Sequence, residues 1–406
     1  MQAIATNIFH PGAGRPGRLG TPTYIRSKTR IAASMWIFSM THSPTRHHPT
    51  LAAGSTHRLY LPSLDGARGL AVILVVLDHL ASSKIIPFHE LRGVGRVGVY
   101  LFFALSGFLL FAPFVLKSTE GIARWETWGS YFLRRLLRIY PLYFLALLVS
   151  HAINPAFTWR IVADHLLLRR GDGVFWTIEV ETQYYLILPV MVWTFIVAWR
   201  RGVAAGCLAS AGFFICLHLL FRVTARHWSL DGHVLKPYFM IFTFGSAAGA
   251  LLALVAGHPR WPRWSRFACE GAAFTAFLLC LCAAPSIHGV LPPRLAPGWD
   301  AGLVLSGFFS ALFIFCHLHG AGWIKACLEW RPLRYLGLIS YSVYLWHRPV
   351  IDTFWRLTDA AHVPYAAHWP VRTAYVLLAC VALSSLSFFL VERPLSRLKA
   401  GFTRSL

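Results

Sequence analysis

Apolar residues gather in long blocks along this chain, and polar residues fall mostly between them. Ten blocks approach membrane length, near 64–82, 95–116, 132–150, 183–199, 203–221, 237–256, 267–284, 299–317, 333–355 and 373–391. A helix crossing the hydrocarbon core needs roughly 20 residues, and each block is of that order. Gly, Ser and aromatic residues are spread through the blocks, which suits helices that pack against one another in lipid. The pattern predicts an all-α, polytopic membrane protein with about ten transmembrane helices in one bundle. No inverted internal repeat of the kind found in many secondary transporters is visible.

Composition agrees with the pattern. Apolar residues make up 56% of the chain and charged ones 13%, with a mean hydropathy of +0.54; a soluble domain carries about 25% charged residues. The charge that is present sets an expected topology. Of 38 Lys and Arg, 25 fall on the side that holds both termini and 12 on the other, with Arg348 inside a block. The positive-inside rule therefore places both termini in the cytoplasm, with the lipid bilayer of the cytoplasmic membrane as the first partner. The net charge of +22 is spread over short loops rather than gathered on one domain, so nucleic-acid binding is a poor reading.

Residues 1–60 differ in kind. They are polar and basic, broken by Pro and Gly, and their one apolar patch, IAASMWIFSM, is too short to span. This segment is expected to be disordered, and translation starting at Met40 would leave an ordinary short cytoplasmic tail. The expected organisation is thus a basic N-terminal segment over 1–60, a membrane domain over 61–398 and a short basic tail over 399–406.

The eight cysteines lie mostly within apolar blocks and read as small apolar residues. No paired CxxC, glycine-rich phosphate loop, HExxH or GxSxG element is present, so zinc hydrolase, ATPase and soluble serine hydrolase readings fall away. No metal is expected.

Polar residues at membrane depth are few and clustered. In LDGARGLAVILVVLDHL, Arg68 and His79 are eleven residues apart, about three helical turns, so they share a face roughly 16 Å apart along the axis. Ionisable groups in hydrocarbon are costly and mark a functional pathway by default; the structural alternative is a snorkelling arginine and a hydrogen-bonded histidine. Ser106 and Gly107 lie in GVYLFFALSGFLL, where a small-residue pair lets another helix approach. In RRLLRIYPLY, Arg134 and Arg138 are one turn apart and could grip one anionic group; ordinary interfacial anchoring is the alternative. Glu179 and Glu181 follow Trp176 and Thr177 in WTIEVETQYY, at the expected outer entrance of the fourth span. In LGLISYSVYLWHRPV, Tyr344, His347 and Arg348 share a helix face and could line a polar cavity. Glu392, in VERPLSRL, would cap or pair at the inner surface.

These six segments, in this order, resemble the membrane-bound acyltransferase-3 family over roughly residues 61–398. The resemblance implies a ten-helix membrane enzyme that takes an acyl group, commonly acetyl, from acyl-CoA and passes it to a hydroxyl of a carbohydrate or glycolipid acceptor. In the family pattern the first-helix arginine and histidine map onto Arg68 and His79, and the basic group of the third helix onto Arg135 and Arg138. The Trp-Ser-x-x-x-Glu element maps onto Trp176, Thr177 and Glu181. Thr177 stands where serine is usual, keeping the hydroxyl, and Asp78 stands where a bulky apolar residue is usual.

The mechanism this suggests has the phosphates of acetyl-CoA held by Arg135, Arg138 and Arg68. His79 acts as general base on the acceptor hydroxyl, and Glu181 orients the imidazole. An acyl-histidine intermediate is the other route. Tyr344, Thr177 and Arg68 are candidate donors to the thioester oxygen, and Ser106 and His347 are candidate cavity residues. Many relatives carry a fused extracellular hydrolase-like domain. The last apolar block ends near 391, so the expectation is a chain that completes the transfer itself, or one that hands the group to a separate extracytoplasmic transferase. A transporter and a polysaccharide-complex scaffold are the non-enzyme alternatives, and coenzyme A binding separates them from the enzyme.

Overall fold

The first helix shows how local chemistry starts the bundle. Helix α1 (Pro62–Ser82) opens on a proline, whose locked φ and missing N–H suit a first turn, and Asp65 lies in that turn beside the positive end of the helix dipole. The computed structural model describes residues 61–116, 125–202, parts of 205–223, 238–257, 266–283, 299–320, 322–360 and 368–402. After α1 come α2 (Val94–Leu116), α3 (Trp125–Ile153), α4 (Trp159–Leu166), α5 (Trp176–Trp199), α6 (Phe239–Gly257) and α7 (Arg266–Ala283). The order continues with α8 (Trp299–His319), α9 (Trp323–Leu328), α10 (Arg331–Leu338), α11 (Ser340–Ala360) and α12 (Trp369–Ser387). A π-turn (Phe388–Glu392) then joins α12 to α13 (Arg393–Phe402). There is no strand among the described residues.

Among the described residues, five stretches are long and apolar enough to cross a membrane: His89–Ala112, Trp128–Ile153, Trp176–Ala198, Ala301–His319 and Trp369–Arg397. Two shorter apolar helices cover Ile241–Leu251 and Phe267–Ala283. Helices α1 and α11 have the length of a span, 21 residues each, but both carry charged side chains. Bulky apolar side chains such as Leu186, Trp193, Leu378 and Leu390 are exposed, as expected where lipid rather than water is the solvent. This is an all-helical integral membrane protein.

Helix α2 lies deepest, with α1, α6 and α8 packed around it. Its seam with α6 is built on glycine. A Cβ on Gly107 would sit 2.1 Å from the Phe242 carbonyl oxygen, and one on Gly245 would sit 1.9 Å from that of Ala104. The backbones therefore touch, which is how helices gain dispersion energy in lipid, where no hydrophobic force drives them together. Helices α1 and α10 cross as closely, with Gly337 against the Asp65 carbonyl.

Three boundaries differ from the pattern-based expectation. Helix α3 begins at Trp125 and α5 at Trp176, a turn or two earlier than expected, because amphipathic turns precede the purely apolar ones. The block at 333–355 is two helices, α10 and α11, parted at Ile339; its apolar run hides a corner made where α10 packs on α1. The entrance of α5 is also packed within the protein. Val174, Phe175, Thr177, Ile178, Glu179 and Val180 are all buried, so this end of α5 is drawn into the bundle. The expectations for residues 1–60 and Met40, for part of the block at 203–221 and for residues 403–406 lie outside the described residues.

Candidate active site

A cavity of about 120 Å³ lies between α1, α2, α3, α5 and α11. Seven polar side chains singled out from the sequence meet at it: Arg68, Ser106, Arg135, Arg138, Thr177, Glu181 and Tyr344. Tyr185, Ser340 and Tyr341 complete its polar wall, with Phe102, Phe103 and Ile178 among its apolar lining. Its volume suits an acyl group or a phosphate with a few waters, and is well below the roughly 300 Å³ at which whole-ligand pockets begin.

The wall is strongly cationic. Three guanidinium groups face it, and Glu181 is the one carboxylate in its lining. The Nε atoms of Arg68 and Arg135 are buried without a hydrogen-bond partner, and neither group has a carboxylate within ion-pair range among the described residues. Arg135 is flanked instead by aromatic rings, its guanidinium carbon 5.8 Å from the ring centres of both Tyr131 and Tyr185. Such cation–π contacts steady the side chain and leave its N–H groups to serve an anion. Arg138 is ion-paired at 3.2 Å with Glu392.

Glu181 is held from two sides. The Ser106 hydroxyl donates to it at 3.3 Å, and the Tyr185 hydroxyl donates to the same oxygen. Ser106 and Gly107 thus divide the work of the small-residue pair: the serine reaches the cavity while the glycine admits α6. Tyr344 donates to the Val174 carbonyl at 2.8 Å, and Thr177 donates to it at 3.4 Å. That shared carbonyl ties the entrance of α5 to α11.

His79 and His347 stand beside the cavity rather than in its lining. Their rings meet edge to face with centroids 4.7 Å apart, and His347 in turn lies 5.8 Å from the Tyr344 ring. Cavity, Tyr344, His347 and His79 therefore form one continuous line along the seam of α1 and α11. His79 Nδ1 lies 2.8 Å from the Val75 carbonyl. A carbonyl only accepts, so Nδ1 carries a proton, and in the neutral ring the lone pair is on Nε2. The contacts of Glu181 are Ser106 and Tyr185, and those of His79 are Val75 and His347; the two side chains are not brought together. Trp176 also stays outside the lining, packed on Tyr238 and Phe103 at 4.7 and 5.9 Å between ring centres.

Two acidic residues have roles that the residue order did not reveal. Asp78 accepts the Gly93 N–H at 2.8 Å, capping the first turn of α2 from outside its own helix. Glu392, expected to cap or pair, does pair, with Arg138, and is buried behind the cavity wall. The apolar run FFLVE leading into it is the one signal in the sequence that it enters the bundle. Among the described residues no group of three His, Cys, Asp or Glu could hold a metal ion.

Fold and site together define a helical integral membrane protein with a buried cationic cavity beside a paired histidine. A family model described as an acyltransferase domain matches residues 61–388, and the chain belongs to this acyltransferase-3 family. The chain is 27% identical over 381 residues to a Bacillus subtilis protein named "Putative peptidoglycan O-acetyltransferase YrhL", covering 84% of this chain and 55% of that relative. It is 25% identical over 392 residues to the peptidoglycan O-acetyltransferase OatA of Listeria monocytogenes, covering 85% of this chain and 57% of the relative. The chain thus spans little more than half the length of these curated relatives. No solved structure matches it.

Proposed function

We propose that this protein is an O-acyltransferase of the cytoplasmic membrane. It moves an acetyl group from acetyl-CoA, presented from the cytosol, to a hydroxyl of a carbohydrate or glycolipid acceptor on the other face. One observation carries the reading: Arg68 and Arg135, whose Nε atoms are buried without a hydrogen-bond partner and which have no ion-paired carboxylate among the described residues, face the cavity that holds Glu181, Ser106, Thr177 and Tyr344. A buried cation left unpaired is costly, and an anionic ligand removes that cost. The names of the relatives supply the acetyl group and the glycan as the chemistry to test. Ten spans with both termini in the cytoplasm would bring the arginine end of α1 to the donor's side.

In this scheme the donor's phosphates are held by Arg135, Arg138 and Arg68, and its extended arm follows the seam of α1 and α11 toward His79. The acceptor oxygen attacks the thioester carbonyl, and its proton passes to His79 Nε2, the ring nitrogen left with a lone pair. The tetrahedral oxyanion then collapses, the C–S bond breaks, and the thiolate leaves as coenzyme A after taking that proton. His347, in edge contact with His79, limits how the imidazole can turn. Glu181, held by Ser106 and Tyr185, partly balances the cationic wall.

The test is acetyl-CoA turnover in membranes supplemented with cell-envelope glycan, read as free thiol, for wild type and His79→Ala. Thiol release and acetylated glycan are expected from the wild type, and neither from the variant when it is inserted to the same level. Undiminished transfer by His79→Ala would refute the assignment of the base. Absence of both turnover and coenzyme A binding in the wild type would refute the donor.

A further inference from the structure

The turn before the last helix delivers a carboxylate to the cavity's own arginine. Glu392 Oε2 lies 3.2 Å from Arg138 Nη1, with the two side chains 3% and 29% exposed. The Ser342 hydroxyl donates to the other oxygen, Oε1. Oε2 makes no aligned hydrogen bond, so the contact with Arg138 is ionic and loosely directed. The Arg138 guanidinium also stands 5.9 Å from the Tyr341 ring centre, and the Tyr341 hydroxyl donates to the Ile139 carbonyl at 2.8 Å. Arg138 and Tyr341 line the cavity, whereas Glu392 and Ser342 stand behind that wall.

The π-turn at Phe388–Glu392 is what places this carboxylate. The buried face of α12 runs through Val376, Cys380, Ser384 and Ser387. In a regular helix, at about 100° per residue, Val391 would continue that face and Glu392 would rotate off it. The wider π-turn brings Glu392 into the buried row instead, where it is 6% exposed. Such turns often occur at functional sites.

We propose that Glu392 is a resident counter-ion, which occupies Arg138 while the donor is absent and yields it to a phosphate of the arriving donor. This inference rests on the proposed donor reading and assigns Glu392 as a positioning residue that sets donor affinity. Three arginines facing one lining carboxylate repel one another, and a second carboxylate on Arg138 relieves that repulsion until an anion arrives. Arg138 is exposed enough to turn from one partner to the other, with the Tyr341 ring as a common platform. Ser342 keeps hold of Glu392 after the exchange, so the carboxylate is never left bare. The consequence is a binding penalty: donor affinity is reduced by the fraction of protein in which Arg138 is already engaged.

The test compares coenzyme A binding to detergent-solubilised full-length wild type, Glu392→Gln and Ser342→Ala, with inorganic pyrophosphate as a second probe. Glu392→Gln should bind coenzyme A about three- to tenfold more tightly than wild type, whereas Ser342→Ala, which leaves the displaced carboxylate without a partner, should bind it more weakly. Equal or weaker coenzyme A binding by a Glu392→Gln protein of wild-type thermal stability overturns the inference and leaves the donor reading standing. If Glu392→Gln fails to fold, Ser342→Ala decides: coenzyme A binding equal to or tighter than that of wild type overturns the inference. Should coenzyme A bind neither protein while pyrophosphate binds Glu392→Gln more tightly, the donor reading fails and the counter-ion role stands. If neither probe binds either protein, both are overturned.

Discussion

Replacing Arg68 by methionine should make the donor-free protein more stable and the enzyme inactive. The side chain lines the cavity, its Nε is buried without a partner, and no carboxylate pairs with it among the described residues. An unsatisfied buried donor costs about 1–3 kcal/mol. Methionine keeps most of the length and removes both the charge and the donor. Against this, the lost guanidinium enlarges the cavity by about 40 Å³, which costs about 1 kcal/mol at roughly 24 cal/mol per Å³. The balance is a net gain of about 1 kcal/mol, or a few degrees in Tm. The opposite sign is expected with ligand. Truncating one partner of a buried charge pair costs about 2–5 kcal/mol, so coenzyme A affinity should fall by about thirtyfold or more. Thermal unfolding of the solubilised protein, with and without coenzyme A, measures both effects at once. A variant less stable than wild type without ligand, yet stabilised as much by coenzyme A, would refute the argument that Arg68 is held in waiting for an anion.

Other substitutions probe the surrounding contacts. Tyr185→Phe removes one of the two hydroxyls that hold Glu181; a hydrogen bond to a charged group is worth about 1.5–3 kcal/mol, so turnover should fall about ten- to a hundredfold, read as thiol release at equal membrane insertion. Asp78→Ala deletes the cap on α2 and should cost about 1 kcal/mol of stability, with turnover within a few-fold of wild type; loss of turnover at unchanged Tm would place Asp78 in the chemistry instead. His165, in α4 outside the spans, is fully buried between Phe157 and Phe175, and burial holds its pKa below the ordinary histidine value despite nearby Asp172. Its neutral form is the one the fold favours, so its contribution is complete above about pH 6.5 and is lost as pH falls below that value. The Tm of His165→Phe should therefore decline less than that of wild type between about pH 7 and about pH 5, and parallel declines would show that another group carries the acid sensitivity.

The alternation of apolar blocks and polar breaks was enough to set the class of this protein, because the bilayer leaves a chain few ways to satisfy its backbone. The Arg68–His79 spacing was equally legible, since helical geometry alone puts residues eleven apart on one face. What residue order could not convey is which face meets which. Glu181 lies 113 positions from Arg68 in the chain and 75 from Ser106, and it shares a cavity with both because the entrance of α5 is drawn into the bundle. Its partners proved to be Ser106 and Tyr185, while His79 turned toward His347, a residue on another helix whose register no local pattern specifies. The corner at Ile339 and the π-turn before Arg393 were invisible for a related reason. Each breaks helical periodicity inside an apolar run, and hydropathy is blind to a change of direction or a rotation of about 100°. Local periodicity therefore determined the helices and the candidate residues along them. Only the glycine-lined close packing of α1, α2, α6 and α10, with the π-turn's rotation of Glu392, decided which of those residues share a cavity, because that depends on contacts between segments far apart in the chain.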